Sequence, residues 1–323
     1  MNPYLGHPSQ MHGVEQHRLI GGKGDGLRLL EVRNGLGLEL TLCVDRCLDI
    51  PRLTFRGNNF GYFSACGYVG PAYFERDGMG FLKAFTGGFM TTCGLRSFGP
   101  PCEDEGESLG LHGTATYLPA DQVGWREEDG MIYINAIMRE ATQFAAHLEL
   151  HREYAISLTE NRFTLTDTII NVGPRPTPAM ALYHCNLGYP LLSEKALVLL
   201  PSKTVTPRDE NAKKGLARCR MVEPPQKDCA EQCFHHTFGE LGVAGIFNPE
   251  IGYGITIEFD PKELPYFTQW KMMGEYEYAM GMEPSTAPLK DRAEMRRDGD
   301  LNILAPGESK TQTLQFQIVN NKL

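Results

Sequence analysis

Between Met131 and Val172 the chain alternates apolar and polar residues three times over. The segments "MIYINAIMRE", "AHLELHREYAISL" and "RFTLTDTIINV" each repeat with period two, and Glu160-Asn161 sits as a turn between the last two. Side chains that turn alternately to the two faces of a sheet produce this spacing. The same pattern recurs in "LRLLEVRNGLGLELTLCVD" around Asn34-Gly35, a hairpin signal, and near the end in "YGITIEFD", "FTQWKMM" and "TQTLQFQIVN". Apolar spacing of three and four is scarce. A short helix is expected in "PAYFERDGMGFLKAF" and a helical turn at the start of "KELPYFTQW". The 35 glycines and 21 prolines supply the turns that many strands need. The segment "PSKTVTPRDENAKKGLARCRMVEPP" reads as a long irregular excursion over one face. The pattern predicts one all-β, antiparallel domain over residues 1–323.

Several function classes fall away. A net charge of -9, without a basic block, argues against nucleic-acid binding. No apolar run reaches the roughly 18–20 residues of a membrane span, and the start lacks the basic end and apolar block of a secretory signal. The nine cysteines are odd in number, with no CxxC pair and no zinc-finger spacing. They read as reduced, mostly buried thiols of a cytoplasmic protein. The assembly is expected to be a monomer or homodimer.

Three segments place an ionisable side chain among glycine, proline or aromatic residues. They are His112 in "LGLHGTATYLPA", His184 in "ALYHCNLGYPLL" and Glu283 in "YAMGMEPSTA". A lone histidine is often a hydrogen-bonded structural one. A carboxylate in an apolar strand is different, because it costs several kcal/mol unless it is paired or solvated. Glu283 therefore implies a pocket or a partner.

With "CVDRCLDIPRLTFRG" (43–57), "FTGGFMTTCGL" (85–95) and "QWKMMGEYEYAMGMEPST" (269–286), these segments resemble the aldose 1-epimerase (galactose mutarotase-like) superfamily. In particular they are similar to its DUF4432-type branch, in order along nearly the whole chain. The resemblance implies a large twisted antiparallel β-sandwich, the galactose mutarotase-like supersandwich. It also implies epimerase or mutarotase chemistry at the anomeric centre of a sugar or sugar derivative. It carries a first active-site histidine onto His112, a second onto His184 and a catalytic glutamate onto Glu283.

Opening a cyclic hemiacetal takes a proton from the anomeric hydroxyl and gives one to the ring oxygen. Glu283 as base and His184 as acid, on opposite sides of the ring, would do both without a cofactor, with His112 orienting the sugar. The superfamily's substrate-binding arginine has no counterpart where Thr86 stands, and its acidic pair has none either. Arg46, Asp49, Arg96, Gln269, Trp270 and Lys271 are the substrate-binding candidates. Lys203, Arg208, Lys213 and Lys214 read as a solvated loop, with contact to an anionic substrate as the other reading. Two further alternatives stand beside the enzyme: a metal-assisted sugar isomerase holding a divalent cation on His112, His184 and Glu283, and a non-catalytic carbohydrate-binding protein on the same scaffold.

Overall fold

Each strand expected from alternation is present in the computed structural model, which describes residues 3–320. Met131–Ala141, His147–Ser157 and Arg162–Asn171 bury every second residue. In the hairpin between Arg28–Arg33 and Leu38–Cys43, the Asn34 carboxamide oxygen accepts the backbone N–H of Leu36 and Leu38. Its amide nitrogen donates to the carbonyls of Ser157 and Glu160, tying this turn to the second sheet.

The strands form two large antiparallel sheets. The first has eleven strands. Its main path runs Gly13–Arg18, Arg28–Arg33, Leu38–Cys43, Asp49–Phe55, Met90–Leu95, Met180–Leu187, Ala279–Ser285, Tyr266–Met272, Gln232–Thr237 and Thr204–Pro207, and Asn58–Asn59 pairs with Asp49–Phe55. The second has eight, in the order Ala120–Glu128, Met131–Ala141, His147–Ser157, Arg162–Asn171, Ser309–Val319, Tyr253–Phe259, Gly242–Asn248 and Leu197–Leu199. Their inner faces share one core. Tyr183, Cys185 and Met282 come from the first sheet, and Ile134, Phe163 and Phe316 from the second. Each such side chain contributes about 1.5–3 kcal/mol on leaving water, which holds the sheets face to face.

A buried ion cluster crosses this core. Arg152, on the second sheet, donates to both carboxylate oxygens of Asp167, to Asp49 Oδ1 and to the Cys47 carbonyl. Tyr183 donates its hydroxyl to Asp167, and Asp49 accepts from the Thr92 and Thr116 hydroxyls. An unpaired charge here would cost several kcal/mol, so every member has a partner.

The outer face of the first sheet is also covered. Phe81, Phe85, Phe98, Leu182 and Met295 build a second, smaller core on it, which is why Met180–Leu187 is buried on both faces. "PAYFERDGMGFLKAF" contributes two 3-10 turns, Pro71–Tyr73 and Gly80–Lys83, rather than the expected helix. Gly78, with φ +54°, stands between them and breaks the helical path. "KELP" makes a single turn closed on the Asp260 carbonyl before Tyr266–Met272 begins. The excursion at 201–225 is ordered, not irregular. It holds the edge strand Thr204–Pro207 and the helix Glu210–Gly215, capped by Asp209 accepting from the Ala212 N–H.

Candidate active site

His184 and Glu283 meet because two central strands are in register. Leu182 pairs with Ser285 and Cys185 with Met282, so His184 falls opposite Glu283 on the outer face. Glu283 pairs in turn with Thr268, and Thr268 with His235. The alternating neighbours Met280 and Met282 point into the sandwich core. Period two thus sends a carboxylate outward from an apolar strand.

His184 Nε2 lies 3.3 Å from Glu283 Oε1, and the two side chains are 8% and 2% exposed. Neither His184 Nδ1 nor Glu283 Oε1 has a hydrogen-bond partner. The His184 ring is framed by Phe85, Trp270 and His112, with centroids 5.5, 5.3 and 5.9 Å away. Gly281 makes room for this pair, since a Cβ there would stand 2.2 Å from Glu283 Oε1.

His112 arrives from a turn outside the sheet. Its φ of +59° lies in the left-handed region, which costs a non-glycine residue of order 1–3 kcal/mol unless its surroundings enforce it. Here they do. The His112 N–H donates to the Gly99 carbonyl, and its own carbonyl accepts the Gly94 N–H. Gly113 follows at φ +72°, and a Cβ on it would meet the Ser97 and Gly94 carbonyls at 2.1 and 2.4 Å. The glycine beside His112 is therefore required by this close approach of backbone to backbone. The Gly99 N–H donates to His112 Nδ1 at 3.4 Å, which leaves Nε2 as the protonated nitrogen of the neutral ring.

Burial sets the protonation of all three groups. Loss of water lowers His112 to about 4. It lowers His184 to about 3, with repulsion from His112 adding to the effect. Burial pushes Glu283 well above the usual carboxylate range, helped by repulsion from Glu231 and opposed by Arg208. Both of these shifts on His184 and Glu283 favour the uncharged forms, with the dissociable proton of the pair on the carboxyl. Buried groups with pKa values displaced this far in a cleft mark a candidate catalytic site.

These side chains line one pocket, whose volume out to its open mouth is about 960 Å³. Trp270, Arg208, Glu231 and Cys233 form a further wall. Trp270 Nε1 donates to Glu231 Oε2 at 2.8 Å, and Arg208 Nη2 to Glu231 Oε1 at 2.9 Å.

Of the expected substrate-binding residues, only Trp270 lines this pocket. Arg46 is buried elsewhere, donating to the carbonyls of Thr116, Val69 and Ala84 and to Thr86 Oγ1. With Asp49 it lines a separate small pocket. Asp49 belongs to the Arg152 cluster. Arg96 is paired with Glu107 and Glu140. Gln269 and Lys271 face away from the pocket. Gln269 donates to the Cys219 carbonyl, and Lys271 Nζ reaches the Arg218 and Met221 carbonyls and Glu223. Both pin down the 201–225 segment. Each of these five is satisfied by protein partners, which is why it is not free to face a ligand there. Among the described residues, no group of three or more His, Cys, Asp or Glu side chains is placed to hold a metal ion.

The family model described as a domain of unknown function, DUF4432, matches residues 24–318. The chain belongs to this family. Among curated proteins, none matches it. This DUF4432 protein is similar to a structure from Klebsiella pneumoniae subsp. pneumoniae MGH 78578 described as a "putative aldose 1-epimerase". The TM-score is 0.89 at 29% identity, over 96% of this chain and 84% of that one. A galactose mutarotase-like protein from Clostridium acetobutylicum matches with a TM-score of 0.69 at 13% identity, over 96% and 99% of the chains. A galactose 1-epimerase from Lactobacillus acidophilus NCFM matches with a TM-score of 0.63 at 11% identity, over 96% and 100%. The last two likenesses show the fold, which is galactose mutarotase-like.

In this DUF4432 protein, sequence reasoning missed Glu231 and Cys233 and left Arg208 in a solvated loop. Cys233 had a readable signal, since it alternates with His235 in "QCFHHT". Arg208 and Glu231 flank the edge-strand pairing of Thr204–Pro207 with Gln232–Thr237, which no local pattern announces. Among the described residues no helix is long and apolar enough to cross a membrane.

Proposed function

We propose that this protein catalyses exchange at the anomeric centre of a sugar by acid–base chemistry on the His184–Glu283 pair. The observation that carries the reading is the contact of 3.3 Å between two buried groups, each keeping a polar atom without a partner. The anomeric hydroxyl and the ring oxygen are bonded to the same carbon. One acid and one base side by side therefore reach both, from one side of the ring rather than from opposite sides.

In ring opening, one member takes the proton of the anomeric hydroxyl as the other protonates the ring oxygen. The ring C–O bond breaks and a carbonyl forms. Closure on the other carbonyl face returns both protons. Burial favours the protonated carboxyl of Glu283 and the neutral ring of His184, so in this scheme the first opening uses Glu283 as donor and His184 as acceptor, and the roles reverse on closure. His112, held by its backbone, orients a sugar oxygen through Nε2–H. No metal or cofactor is required by this scheme, and the non-catalytic binding reading gives no use to a proton-sharing pair.

The test is the exchange of aldose anomers, followed by magnetisation-transfer NMR against the spontaneous rate. Glu283→Gln keeps the shape and cannot move a proton, so acceleration should fall by roughly 10²-fold or more. Full activity in that variant removes Glu283 from the chemistry. Sugar binding by the wild type without acceleration selects the binding protein.

A further inference from the structure

The part of the pocket wall that comes from segments outside the sheet, residues 79–85, 99–112 and 289, is aliphatic apart from His112 and the rings of Phe81 and Phe85. Met79, Leu82, Pro100, Pro101, Leu111 and Leu289 line it, and Met79 and Leu82 are 54% and 51% exposed. Large apolar side chains left facing solvent beside a catalytic pocket point to an apolar group that covers them. Phe85 and Trp270 offer flat rings for the C–H face of any sugar, but branched and unbranched aliphatic chains are not such platforms.

The polar inventory agrees. Arg208 directs Nε to Asp209, Nη1 to Cys233 Sγ and Nη2 to Glu231. Glu231 accepts from Arg208 on one oxygen and from Trp270 on the other. His112 Nδ1 takes the Gly99 N–H. What stays free is His112 Nε2, the His184–Glu283 pair and one N–H on each Nη nitrogen of Arg208; the anomeric centre uses the first two, and Arg208 stands on the sheet side of the pocket beside Cys233. Hydroxyls turned toward Met79, Leu82 and Leu289 would press on aliphatic carbon without partners, whereas a methyl there gains by leaving water.

Resting on the reading proposed above, we infer that the substrate is a sugar deoxygenated on the side away from its anomeric carbon, a 6-deoxyhexose being the simplest case. The test uses matched pairs: D-galactose, D-glucose and D-mannose, each against its 6-deoxy form. Both kcat/KM for anomeric exchange and Kd by calorimetry are measured. The 6-deoxy member should be preferred by roughly tenfold or more in at least one pair, since a single apolar-for-polar difference in such a pocket discriminates on the order of 10- to 10²-fold. Leu82→Asn, at an exposed position, should bring that ratio back toward one, chiefly through KM.

Equal or better use of the parent sugars in all pairs overturns this inference and leaves the proposed function standing. Tighter binding of 6-deoxy sugars without exchange supports the inference and overturns the proposed function. Absence of both binding and exchange with every sugar overturns both. A preference unmoved by Leu82→Asn overturns the assignment of the aliphatic wall.

Discussion

Glu283 should cost the fold stability at neutral pH, and its removal should recover it. The side chain is 2% exposed, and its Oε1 has no hydrogen-bond partner. Burial raises its pKa in the folded state far above the ordinary 4.5. Between the two values the unfolded chain has released this proton and the folded one has kept it. The folded state then binds one proton more, so the free energy of unfolding falls as pH rises, by up to about 1.4 kcal/mol per pH unit.

His184 complicates only the acid side. Its folded value of about 3 against an ordinary 6.5 makes it a liability as pH falls through 6.5, and because both proteins carry it this contribution cancels in their difference. Urea unfolding of the wild type and Glu283→Gln, at steps from pH 6.5 upward to about pH 8, therefore isolates the carboxyl. The wild type should lose stability along this series relative to the variant, which has nothing to titrate there. At neutral pH the variant should be the more stable by up to about 3 kcal/mol, about 1.4 kcal/mol for each pH unit above the ordinary carboxyl value. Parallel curves, or a wild type that gains on the variant as pH rises, would mean that the resting pair is an ion pair. The neutral, one-proton description would then be wrong.

Two structural substitutions probe the scaffold around the pair. Gly281→Ala places a Cβ 2.2 Å from Glu283 Oε1, so the carboxyl must turn. Anomeric exchange should drop by roughly 10²-fold, as for a misplacement of about 1 Å, with circular dichroism unchanged. Arg152→Ala strands Asp49 and Asp167 in the core. It should cost about 3–5 kcal/mol in denaturant unfolding, and a loss below about 1 kcal/mol would show that the cluster does not clamp the sheets.

The legibility of the chain follows the range of the interactions involved. Period two in "AHLELHREYAISL" is a local property, because each residue's face is set by its neighbours in sequence, and such strands were readable. The excursion at 201–225 was not. Thr204–Pro207 is four residues long, too short to show a period, and it becomes a strand only by pairing with Gln232–Thr237. Arg46 and Asp49 sit in a motif and look like ligands, but their partners Thr116 and Arg152 are 70 and 103 positions away. A side chain's satisfaction by a distant residue leaves no trace nearby. His112, His184 and Glu283 could be singled out because glycine, proline and apolar neighbours make an ionisable group conspicuous. Their approach to one another depends on strand register across the sheet and on the backbone bonds that hold the His112 turn, neither of which is written locally.

The account stands most directly on whether His184 and Glu283 act as one proton-sharing unit. A double-mutant cycle with His184→Gln, Glu283→Gln and the pair together, read as kcat for anomeric exchange, measures this. If the two groups work as a unit, each single substitution should abolish nearly all of the acceleration, and the double should lose little more. Losses that multiply, each variant retaining an independent share of the rate, would contradict it.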